Sequence, residues 1–161
     1  MQVKSKFGIG LMITAFLLSI VGTIGFTIED KVESIPTPNA PNSVFFADEP
    51  VQSNSLALFV SANAEFTWDR SEIFLVVGDS EKKAQCDGLT FIERTTQNTE
   101  SCTYRDNEFV AIGDDNLSGF SWSVKAGEYY VGIGSLNQVP EDFELNVDYE
   151  VKMTLSASGY F

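Results

Sequence analysis

Histidine is absent from this 161-residue chain. Serine and cysteine triads that use imidazole as base are therefore excluded, as is His-ligated zinc. There is no G-x-x-x-x-G-K-[ST] loop, and Gly132 and Gly134 occur in a strand-like run with no helix after it. A phosphate site of that kind needs a helix N-terminus, so the two glycines read as packing positions. Basic residues are scarce too, ten against 23 acidic ones, for a net charge of −13. Such a chain repels nucleic-acid phosphates, so no nucleic-acid partner is expected. Only two cysteines are present, Cys86 and Cys102. Past residue 35 no stretch keeps a helical period, and only one apolar run is long enough to matter.

That run is residues 7–28, which contain no Asp, Glu, Lys or Arg. As a helix they would cover roughly 33 Å, enough for a hydrocarbon core of about 30 Å. The apolar region of a cleavable signal is shorter, about 7–15 residues, and ends in small residues. Val21-Gly22-Thr23 and Thr23-Ile24-Gly25 fit that cleavage pattern poorly. The span is read as a retained signal-anchor with the lipid bilayer as its partner. Lys4 and Lys6 precede it, whereas Glu29, Asp30 and Glu33 follow. The flanks imply that residues 1–6 are cytoplasmic and residues 29–161 lie outside the cell membrane.

All 23 acidic residues and eight of the basic ones lie in residues 29–161. In an oxidising compartment Cys86 and Cys102 are expected to pair, closing a loop worth roughly 3 kcal/mol. Prolines 36, 38, 41 and 50 mark residues 29–50 as a stalk, with Phe45 and Phe46 where the chain first meets the domain. Residues 51–161 are the expected domain.

Period two dominates there. In residues 143–155 Phe143, Leu145, Val147, Tyr149, Val151, Met153 and Leu155 share one face, and polar residues take the other. That is a long half-buried strand. Residues 56–68, 72–79, 89–95, 108–113, 120–124 and 129–134 supply six more, with Lys125-Ala126-Gly127-Glu128 as a hairpin turn. The fold class is all-β: an antiparallel two-sheet sandwich, jelly-roll-like, behind the N-terminal transmembrane helix.

The succession of an alternating strand, "AGEYYVGI", a loop and a long strand over residues 118–155 resembles the second half of pre-peptidase C-terminal domains. It is similar as well to other small jelly-roll modules of secreted prokaryotic proteins. The resemblance implies a sandwich, an extracytoplasmic location and a binding role toward an outside protein or glycan.

Candidate sites are few. Asp114, Asp115 and Asn116 offer oxygen ligands in the turn at 113–119, the candidate site for Ca²⁺, with Asp106 and Glu108 joining if the two loops converge. The alternative is a turn whose Asp and Asn side chains cap the backbone. Asn116-Leu117-Ser118 is also a glycosylation sequon. Asp148 and Glu150 share a strand face about 6.8 Å apart, with Glu144 farther along, a spacing a glycosidase tolerates. No aromatic platform accompanies them, so no catalytic residue is assigned. Trp68, Trp122, Tyr129 and Tyr130 read as core. The expected role is binding or structural. A second reading takes "KSKFG" as similar to a type IV prepilin processing site, with Gly8 ending the leader. Ile13 then stands where such pilins carry an acidic residue.

Overall fold

The computed structural model describes residues 26–51, 60–95, 101–138, 140 and 145–157. They form eight strands: β1 (Phe26–Pro36), β2 (Phe45–Phe46), β3 (Val60–Trp68), β4 (Ile73–Asp79), β5 (Ala111–Gly113), β6 (Phe120–Val124), β7 (Tyr129–Ser135) and β8 (Asn146–Ala157). Two short helices, α1 (Ser80–Asp87) and α2 (Phe91–Thr95), lie between β4 and β5. The strands make two antiparallel four-stranded sheets, β1-β8-β3-β6 and β2-β7-β4-β5, as the sandwich expectation required.

Alternation builds the layer between the sheets. Ala62, Ala64, Phe66 and Trp68 of β3 point inward beside Val147, Tyr149 and Met153 of β8 and Trp122 and Val124 of β6, in one cluster with Val131 and Ile133 of β7 from the other sheet. Register brings Phe66 opposite Phe120, their rings stacked at 4.8 Å. The Trp68 indole donates to the Ile73 carbonyl at 3.0 Å, so burying the ring leaves no orphaned donor. Trp122 meets the half-buried Tyr129 edge-on, so both tryptophans are core, as their alternation implied.

Strand β4 has no polar face, because both its faces are covered. Ile73, Leu75 and Val77 join the inter-sheet core, whereas Phe74 and Val76 pack outward against Val44, Phe109 and the two cysteines. Gly132 and Gly134 allow this second layer to sit close. A Cβ on Gly134 would fall 2.3 Å from both the Phe74 ring and the Ser43 carbonyl oxygen.

Four expectations are corrected. Residues 29–50 are not a free stalk: Phe26–Pro36 pair with β8, and Ala40 and Val44 beyond them are fully buried. The prolines sit at the end of β1 and in the bends after it, where no ladder donor is needed. Residues 89–95 are not a strand but contain helix α2. The strand expected over 108–113 is confined to Ala111–Gly113. Finally, Lys125–Glu128 is not a hairpin turn, since β6 and β7 belong to different sheets. It carries the chain across the sandwich, as does every connection except β4–β5, and this strand order is that of a jelly roll. The expected transmembrane span lies outside the described residues apart from Phe26, Thr27 and Ile28, which open β1. No helix among the described residues is long and apolar enough to cross a membrane.

Candidate functional site

Helix α1 begins where Asp79 leaves the sheet and its carboxylate accepts from the Lys82 backbone N–H at 2.8 Å. Its inward residues are Lys82 and Cys86. Cys86 is joined to Cys102, with Cα atoms 5.5 Å apart, so the disulfide ties α1 to the loop before β5. Cys102 adopts φ +59, a left-handed conformation held by its neighbours. Its N–H donates to Asp106 Oδ2 at 2.6 Å, and the Glu108 N–H donates to Oδ1 at 3.0 Å.

Lys82 completes the loop's anchoring. Its ammonium lies 2.6 Å from Asp106 and 2.7 Å from Glu108, over the Phe109 ring. Lys82 and Asp106 are each about 5 % exposed. Burial opposes both charges, but the mutual hydrogen bonds win. The pKa of Lys82 is raised, and that of Asp106, which also accepts from two backbone donors, is lowered. This is a buried ion pair with its hydrogen bonds satisfied, a structural clamp. Arg94 of α2 completes it by donating to the carbonyls of Val44 and Cys86 beneath the Phe45 ring.

In the acidic turn the Asp115 and Ser118 side chains hydrogen-bond within the turn itself. Asp115 accepts from the Leu117 N–H at 3.0 Å and the Ser118 hydroxyl at 2.7 Å, which lower its pKa. Asn116 points to the Trp68 carbonyl at 3.5 Å, and Asp114 is exposed. Asp106 is committed to Lys82, so it does not join Asp114 and Asp115. Among the described residues no group of three or more Asp, Glu, His or Cys side chains gathers as metal ligands do. The sequon Asn116-Leu117-Ser118 lies on this turn, with Leu117 90 % exposed.

The carboxylate row is also engaged. Asp148 accepts from the Ser34 N–H at 2.8 Å and lies 3.8 Å from Lys31, while its own N–H donates to Asp69. Glu150 stands opposite Lys31 in the β1–β8 register, and Glu144 lies outside the described residues. Asp148 thereby fastens β1 to β8.

One concave feature among the described residues is one that reading the sequence did not find. A groove of about 820 Å³ runs between the β1–β8 edge and residues 47–51. Ile28, Val32, Val51, Val131, Tyr149 and Met153 make its apolar lining. It exists because β1 is eleven residues long, whereas β2, at the facing edge, has only two. Glu29, Asp30, Asp48 and Glu49 add acidic groups. Burial, with the nearby Asp30 charge, raises the pKa of the Tyr149 phenol.

No protein-family model matches the chain, and no curated protein matches it. Among solved structures, one described under "Bacillus endospore appendages form a novel family of disulfide-linked pili" is similar with a TM-score of 0.35 and 10 % identity, over 83 % of this chain and 89 % of that one. A likeness so distant bears on neither the function nor the details of the fold, both of which rest on the chain itself.

Proposed function

We propose that this chain is a membrane-anchored protein whose acidic β-sandwich is displayed outside the cell in a non-catalytic binding or structural role. The observation that carries the reading is the Cys86–Cys102 disulfide, the state expected of cysteines in an oxidising compartment. The apolar span at 7–28, with lysines before it and acids after it, agrees with export of everything that follows. A non-catalytic role is supported by Asp148, one of the carboxylates on the β8 row, being held by Lys31 and the Ser34 N–H. The sheet edge and groove beside β1 are the surface offered to a protein or glycan partner.

The reading is tested on protein extracted from its native membrane. The intact mass should include the residues before Phe26 (initiator Met removal aside), and extraction should need detergent. A mature N-terminus between Thr23 and Ser34 would replace the anchor with a cleaved signal, and one at Ile9 would favour the prepilin reading. Two alkylatable thiols in protein prepared without reductant would contradict export.

A further inference from the structure

Strand β1 is held to the sandwich along one side only. It ends its sheet and pairs with β8 through nine residue pairs, from Phe26↔Leu155 to Pro36↔Asn146. Only Val32 and Ile35 are even half-buried. Phe26 is 55 % exposed, and Ile28, which lines the groove, 36 %. At its far end the register shifts between Val32 and Ile35, where Ser34 takes φ +56. A serine in that conformation is strained, and Pro36 two residues on has no N–H to bind the chain there. The Thr37 N–H then donates to the Leu145 carbonyl at 2.8 Å, which fixes the backbone again. Residues 26–33 are thus an arm hinged at Ser34–Pro36.

We infer that β1 exchanges between copies of this chain, the arm of one molecule pairing with β8 of a second. The occupant is a second copy because the docking contacts are specific to this sequence. Glu29 meets Lys152 at 3.2 Å, Lys31 meets Asp148, and the Ser34 N–H binds Asp148. An identical arm restores every one of them. Simple edge-to-edge pairing of two intact sandwiches does not compete, because it would bring Glu29, Asp30 and Glu33 of both copies together. Exchange keeps the β1–β8 ladder. Reciprocal exchange closes a dimer, and head-to-tail exchange propagates a fibre. This goes beyond the anchored-sandwich reading, which stands or falls separately on the N-terminal mass and the thiols.

The test uses the ion pair already in place. The full chain in detergent is treated with a zero-length carbodiimide, which couples Lys152 to Glu29, and is resolved on a denaturing gel for peptide mapping. The Glu29–Lys152 linkage should come from dimeric and larger bands, at a yield unchanged by tenfold dilution just before coupling. Recovery from the monomer band alone, no linkage in the larger bands, or a yield there that falls with dilution would each overturn exchange.

Discussion

Lys82 is a residue whose removal the fold should tolerate poorly. Its ammonium is nearly sealed from solvent between Asp106, Glu108 and the Phe109 ring. Lys82→Met keeps the length of the side chain but leaves Asp106 buried without a cation, and breaking a buried pair in this way costs about 3–5 kcal/mol. Denaturant unfolding should show that loss as a lower midpoint with an unchanged slope. The pair also sets a pH window. Asp106 is lowered from 3.8, so its contribution is complete above that value and disappears as pH falls through its folded pKa. Lys82 is raised from 10.5, so its contribution is complete below that value and disappears as pH rises through its folded pKa. Stability from the pair should be flat between those limits and fall outside them, and Lys82→Met should flatten the alkaline limb. Nothing in the sequence marked Lys82, because a lysine in a polar octet looks like any solvated helix residue. Its partner lies 24 positions away, and only the disulfide between Cys86 and Cys102 hints that the two segments meet.

At the scale of elements, the disulfide holds α1 against the loop leading to β5. Replacing both cysteines by serine frees a loop of 16 residues' separation and should lower stability by about 3 kcal/mol in the chain-entropy model. Calorimetry of the double variant against the oxidised protein checks this; an unchanged melting temperature would mean that Lys82 and Arg94 hold the segment unaided. Strands were legible wherever one face met the core and the other met water, so β6 was found to the residue and β3 and β8 to within a few. Strand β4 was legible as an unbroken apolar run, the mark of a strand covered on both faces. The helices were missed for separable reasons. α1 is short and mostly polar, with only Lys82 and Cys86 turned inward, so it has no apolar stripe to detect. α2 did carry a signal: Thr90 and Glu93 form a reciprocal capping box, with the Thr90 N–H donating to Glu93 and the Glu93 N–H to the Thr90 hydroxyl. Leu89, Phe91 and Ile92 made the same stretch look strand-like. β1 was hidden by its acids and prolines, because an edge strand uses charge and proline to discourage further pairing. The crossing at Lys125–Glu128 was not legible, since a turn between two alternating strands looks alike whether or not they pair.

On the whole molecule, charge is the dominant variable. A net charge of −13 on 161 residues, with all the acids after residue 28, makes the folded surface repel itself. Added salt should therefore raise the melting temperature by screening, most steeply below about 0.1 M, where the Debye length exceeds about 10 Å. Calcium bound to the native state alone would add a separate increment that grows as RT ln(1 + [L]/Kd). The acidic turn offers little to bind it. Asp115 already accepts from Leu117 and Ser118, Asp106 is committed to Lys82, and Asp114 remains alone at the surface. A Ca²⁺ ion takes six to eight oxygens, and this turn supplies few that are not already in use. Millimolar calcium and magnesium at matched ionic strength should accordingly give superimposable melting curves for the full chain, both above the curve in chelator. Asp114→Asn and Asp115→Asn should each leave the calcium and magnesium curves coincident. Asp115→Asn should also loosen the turn, because its carboxylate is what the Leu117 N–H and Ser118 hydroxyl hold. A rise specific to calcium and abolished by both substitutions would instead make residues 113–119 a metal site, with the turn rearranging to release Asp115.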